Sequence, residues 1–192
     1  MFCFLLLLAA LPAFAQTNYH DSLLAFQANY KKDLYQIIKN DTAYVRFYEP
    51  DASYRVRATV ALLPRQSFFG MNASASQKLK AKRFAKITFT LDDKSYELYA
   101  YQLDFLLNSK DHKDDFFIPF TDAGAGTLSY EGGRYLDFKE SDIVNNQLII
   151  DFNRAYNPYC AFTTGYNCPI PPRENDLPVE IAAGEKKFAK GH

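Results

Sequence analysis

Lys86-Ile87-Thr88-Phe89-Thr90-Leu91-Asp92-Asp93-Lys94-Ser95-Tyr96-Glu97-Leu98-Tyr99-Ala100-Tyr101-Gln102-Leu103 reads as two strands joined by a tight turn. Ile87, Phe89 and Leu91 alternate with Lys86, Thr88 and Thr90, the two-residue period of a strand with one buried face. Asp92-Asp93 turns the chain, because short polar side chains tolerate the backbone of a tight turn. Beyond it Tyr96 and Leu98 share a face that Tyr99 and Tyr101 cannot both share. Upstream, Tyr54, Val56, Ala58, Val60 and Leu62 alternate with Ser53, Arg55, Arg57, Thr59 and Ala61, giving another half-buried strand. Downstream, shorter strands are expected at residues 116–120, 127–130, 134–138 and 147–152, with Glu131-Gly132-Gly133 supplying a hairpin turn.

Residues 19–39 carry the other period. Leu23, Phe26, Tyr30, Leu34, Ile37 and Ile38 recur at spacings of three and four, opposite Gln27, Lys31, Lys32 and Gln36. Asn40-Asp41 ends this helix, which is expected to cover the open side of a sheet. Five of the nine prolines fall between Pro158 and Pro178, and proline removes the backbone donors that a central strand needs. Tyr156, Tyr159, Phe162 and Tyr166 argue that this segment is packed, since a solvated linker would not carry them. The expected fold is mainly β (α+β): an antiparallel β-barrel or sandwich of about seven or eight strands, with one N-terminal amphipathic helix and a C-terminal Pro-rich strap. Residues 64–82 read as a loop over one mouth, and residues 109–115 as a charged connection. The layout is a signal peptide at 1–15 and one domain at 16–192: helix 16–43, β body 44–152, strap and tail 153–192.

The opening Met-Phe-Cys-Phe-Leu-Leu-Leu-Leu-Ala-Ala-Leu-Pro-Ala-Phe-Ala has no charge, and Ala13-Phe14-Ala15 places small residues before a cleavage point at Gln16. This is the pattern of a secretory leader, too short to span a bilayer, so the protein is expected to be exported to the periplasm or beyond. Cys3 leaves with the leader, and Cys160 and Cys168 are expected to pair as a disulfide, with free thiols the alternative. No transmembrane segment is expected in the mature chain. Twenty-two basic residues balance twenty-two acidic ones, against the basic excess that sequence-independent nucleic-acid binding requires.

No motif specifies a reaction. His20, His112 and His192 stand apart from any nucleophile motif, and two cysteines eight residues apart match no zinc pattern. Asp122-Ala123-Gly124-Ala125-Gly126-Thr127 has Ser129 where a dinucleotide fingerprint needs glycine, so no cofactor and no metal is expected. The carboxylates Asp122, Asp137, Asp151, Glu174 and Glu185 gather in the C-terminal strands and strap, with Arg134, Arg154 and Arg173 among them. Some must point inward, where charge survives only when paired and hydrogen-bonded. Ion pairs pinning the strap to the sheet are one reading; a polar pocket is the other.

Phe117-Ile118-Pro119-Phe120-Thr121-Asp122, Gly133-Arg134-Tyr135-Leu136 and Asp151-Phe152-Asn153-Arg154-Ala155-Tyr156-Asn157-Pro158-Tyr159-Cys160 are followed by Cys168-Pro169-Ile170-Pro171-Pro172-Arg173-Glu174-Asn175 and Ala183-Gly184-Glu185-Lys186. This ordered set resembles the bacterial domain-of-unknown-function family numbered 1684. The resemblance marks a location and gives no mechanism. The family's motif positions fall on Asp122, Arg134, Asp151, Asn153, Tyr156, Asn157, Cys160, Cys168, Glu174, Asn175 and Glu185. Where relatives often have Pro-Pro-Cys or Pro-Ser-Cys, this chain has Pro158-Tyr159-Cys160.

The functional expectation is an exported, non-catalytic protein. It binds a small ligand or an envelope partner between the C-terminal strands and the strap, through Asp122, Arg134, Asp151, Asn153, Tyr156, Asn157, Glu174, Asn175 and Glu185. A hydrolase using Asp122, Asp151 or Glu174 as acid/base, or Cys160 as nucleophile, is the first alternative. A wholly structural motif set is the second.

Overall fold

A computed structural model describes residues 11–190; residues 1–10, most of the expected leader, and the last two residues lie outside the described residues. The hairpin forms as the sequence predicts: β3 (Leu79–Leu91) and β4 (Lys94–Leu103) pair antiparallel, with Leu91 opposite Lys94. Asp92 and Asp93 both have positive φ, 49° and 59°, the requirement of a two-residue turn whose twist matches the strands. Ile87, Phe89 and Leu91 are buried with Leu98 and Ala100 in the main core. A register shift between Arg83 and Ala85 inserts one residue and reverses the side-chain parity of β3. Ala81 therefore joins Tyr101 and Leu103 in a second cluster on the opposite face of the sheet.

The remaining strands are β1 (Arg55–Leu62), β2 (Phe69–Met71), β5 (Asp115–Phe120), β6 (Arg134–Lys139) and β7 (Gln147–Asp151). They form one antiparallel sheet in the order β6-β5-β4-β3-β1-β7, with β2 on β3. The sheet curls into a half-barrel and stops: β6 and β7 are its edges and do not pair with each other. Two strand-level expectations fail. Residues 127–130 are a turn, because Asp122 accepts the Gly124 amide at 2.7 Å and the Gly124 carbonyl collects the amides of Thr127, Leu128 and Ser129. Residues 64–82 hold β2 and the start of β3, where Lys80 and Lys82 are simply the solvent side of an alternating strand.

The strap supplies the missing wall. Ala155, Leu177, Ile181 and Ala183 are buried in the same core as the β3–β4 hairpin. Gly184 has φ +78°, and a Cβ there would meet the Phe152 and Ala155 carbonyl oxygens at 2.6 and 2.7 Å, so only glycine lets the strap lie this close. The helix α1 (Leu11–Ile38) ends where Lys39 takes φ 52°. Its C-terminal part lies on the strap, Leu34 and Ile38 packing with Val45, Ala161, Phe162 and Phe188, while Tyr19, Ser22 and Phe26 stand over the gap between β6 and β7. Among the described residues no helix is long and apolar enough to cross a membrane.

Asn175 shows how the strap enters the sheet. The β4–β5 register has Tyr101 opposite Phe117, which brings Tyr99 toward Pro119, a residue without an N–H. The fully buried Asn175 carboxamide fills that gap. It accepts from Tyr99 N at 2.8 Å and donates to Tyr99 O at 2.8 Å and Pro119 O at 2.6 Å. An Asn175→Ala chain would leave these backbone groups unpaired in the interior. Its unfolding free energy should fall by about 2–4 kcal/mol, read from denaturant melts, whereas a loss below ~0.5 kcal/mol would show that the wedge is dispensable.

Candidate functional site

The motif residues come together, mostly in the interior. Arg134 is 1% exposed and its partner Asp122 2%, with Nη2 and Oδ2 2.6 Å apart. The same guanidinium donates to the strap carbonyls of Ile181 (2.9 Å), Ala183 and Glu185 (3.2 Å), and stacks over the Phe120 ring. Asp151 accepts from the Tyr19 hydroxyl (3.0 Å) and from the Asn153 amide and carboxamide, while Asn153 holds both backbone groups of Asp51. Glu174 takes a bidentate pair from Arg83 at 2.7 and 2.8 Å, and the Tyr101 hydroxyl donates to it as well. The hydrogen bonds from Arg83 hold the Glu174 carboxyl below its usual range, against some burial. Cys160 and Cys168 form a disulfide, which withdraws Cys160 as a nucleophile.

Glu185 is fully buried. Its Oε2 accepts from Asn157 N (2.8 Å) and from the hydroxyl of Tyr30 on α1 (3.0 Å). Burial pushes its carboxyl up to about 8, despite those bonds and the nearby Arg134. Glu185 Oε1 and Asn157 Oδ1 are acceptors without a donor, and a proton on Glu185 adds one.

Two clefts meet at the ridge formed by Asp137 and Tyr156. One, of about 540 Å3, opens between the unpaired edges β6 and β7 under α1, with Asp151, Arg55 and Arg154 on its walls. The other, of about 520 Å3, lies between β4, β5 and β6 and the strap at residues 156–169. Tyr101, Phe117 and Tyr135 line it, and Tyr159 and Tyr166 stand at its strap side. Asp137 is open to solvent but crowded by this protein surface, which raises its carboxyl above the ordinary range; the Tyr156 hydroxyl donates to it at 2.6 Å. Of the nine residues expected to bind, only Asp151 and Tyr156 line either cleft. Asp122, Arg134, Asn153, Asn157, Asn175 and Glu185 are buried or bonded inward, and Glu174 is taken by Arg83. Tyr101, Phe117 and Tyr135 were legible only as strand residues, and Asp137 only as one carboxylate among several. Among the described residues no cluster of three or more His, Cys, Asp or Glu could hold a metal ion.

The family model described as "Protein of unknown function (DUF1684)" matches residues 40–186. The chain belongs to this family. The DUF1684 match spans the sheet and strap and starts after α1. The fold is similar to the solution NMR structure of an uncharacterized protein from Haloarcula marismortui. That likeness has a TM-score of 0.65 and 28% identity, and covers 88% of this chain and 96% of that one. No curated protein matches the chain.

The buried Glu185 gives a pH signature. Its folded carboxyl titrates near 8 and its unfolded one near the ordinary 4.5, so between these values the folded state holds the extra proton. Stability therefore falls as pH rises through that window, by up to ~1.4 kcal/mol per unit from this group. Glu185→Gln should flatten that slope in melts taken from pH ~5 to ~9; parallel curves for the two proteins would exclude Glu185 as its source.

Proposed function

We propose that this DUF1684 protein is an exported binding protein that takes a small molecule into the aromatic cleft between β4–β6 and the strap. The observation that carries the reading is the cleft itself. It is concave, of a volume typical of small-ligand sites, walled by Tyr101, Phe117 and Tyr135, and carries a carboxylate on its ridge. The charged motif residues support it from behind. Asn175 and Arg134 fix the strap against the sheet, and the strap forms one wall of the cleft. Rigid support of this kind keeps a site formed before its ligand arrives. Export is supported by the uncharged leader ending in Ala13-Phe14-Ala15 and by a disulfide, which persists in oxidising compartments.

The test uses protein recovered after expression with its leader, whose intact mass should correspond to a chain starting at Gln16. Nile red, an uncharged dye whose emission reports apolar sites, should bind it saturably at one site. Phe105 and Tyr159 line the cleft with 60% and 44% of their surface exposed, so Phe105→Glu with Tyr159→Glu alters the rim and spares the core. The double variant should melt like the parent and bind the dye at least tenfold more weakly. Equal dye affinity in parent and variant would remove the cleft from consideration.

A further inference from the structure

We infer that the ligand of this cleft is a small organic monocation of the alkylammonium class, seated against Asp137 and the faces of the surrounding rings. The inference rests on the cleft being a ligand site, and it follows from how the polar groups of the walls are committed. Three of the five tyrosine hydroxyls of the cleft have protein acceptors: Tyr101 donates to Glu174, Tyr135 to the Pro169 carbonyl and Tyr156 to Asp137. Tyr101 is fully buried and Tyr135 and Phe117 nearly so, and the π surface open to a ligand is that of the half-buried Tyr156 with the exposed rings of Phe105, Tyr159 and Tyr166. Phe117 packs edge-to-face on Tyr135 (5.7 Å, 79°) and Tyr135 on Tyr156 (5.9 Å, 85°). Rings set perpendicular to one another form a corner that cannot show edges alone, and an aromatic face attracts a cation.

The charges point the same way. Two carboxylates line the cleft. Asp115 is already matched by Lys139 Nζ at 2.8 Å and His112 Nδ1 at 2.7 Å. The β5–β6 register explains the division: Lys139 sits opposite Asp115, whereas Asp137 sits opposite Phe117. Asp137 has no cationic partner among the described residues, and its Oδ1 accepts no hydrogen bond from them. The crowding protein surface, and to a lesser extent the like charge of Asp115, raise its carboxyl, against the Tyr156 hydrogen bond. A neutral guest would desolvate Asp137 further without compensation, and an anion would be repelled; a single positive charge closes the balance.

Choline and 3,3-dimethylbutan-1-ol differ by one charged nitrogen in place of carbon, and 3,3-dimethylbutanoate supplies the anion. Titrated calorimetrically into the mature protein, choline should bind at least tenfold more tightly than the alcohol, and the butanoate most weakly. Asp137→Asn keeps an acceptor for Tyr156 and should bring choline to the affinity of the alcohol with an unchanged melting temperature. Equal binding of choline and the alcohol, or a choline preference that survives Asp137→Asn, overturns the inference and leaves the cleft as a site for another class. Absence of choline binding at millimolar concentration also overturns it, and the Nile red titration then decides separately whether the cleft takes any ligand.

Discussion

The guanidinium of Arg134, sealed between a sheet edge and the C-terminal strap, is the contact on which the rest of the molecule depends. A strap rich in proline cannot join a sheet as a strand, yet this one lies in the core, where its carbonyls need donors. Arg134 provides them for Ile181, Ala183 and Glu185, and Asp122 neutralises it. Burying such a pair is costly, and its net contribution against an apolar substitute is small; removing one partner alone is what destabilises. Its role is positional, fixing which strap residues face inward. Leu177, Ile181 and Ala183 fill the half-barrel in consequence.

An open sheet leaves two edges, and this protein handles them without pairing them. The chain leaving β7 returns to β6 for a single bridge, Tyr135 with Tyr156, and then continues as strap. Helix α1 lies over the return and sends Tyr19 to Asp151 and Tyr30 to Glu185. The two clefts are the spaces this closure leaves on either side of Asp137 and Tyr156. Architecture and candidate function thus share residues but divide the labour: charge is spent inside, and aromatic surface faces the cleft.

The hairpin was legible because alternation and a two-Asp turn are local signals, each sufficient to set the register. The strap was legible in part, since prolines among aromatics exclude both strand and linker. Asn175 was recognised as a motif residue, but its action depends on Pro119 lacking a donor fifty-six residues earlier, a relation that only the β4–β5 register reveals. Residues 127–130 were misread because the Asp122 side chain organises a turn over residues whose composition suits a strand. The cleft was least legible. Tyr101, Phe117 and Tyr135 look like ordinary sheet residues until the packing gathers them in a cluster separate from the main core. Recurrent motif residues drew attention to the supports of the site more than to its lining.

The central claim, that Arg134 holds the strap in place, is tested most directly by native-state hydrogen exchange in the double variant Asp122→Asn, Arg134→Met, which removes both charges together. The amides to follow are Leu177, Glu185 and Lys186, which bond Thr121, Ala155 and Arg46 across the strap, against those of the β3–β4 hairpin. The strap amides should lose at least a hundredfold in protection, about 2.7 kcal/mol of local opening, while the hairpin keeps most of its own. Strap amides protected as in the parent would contradict the account.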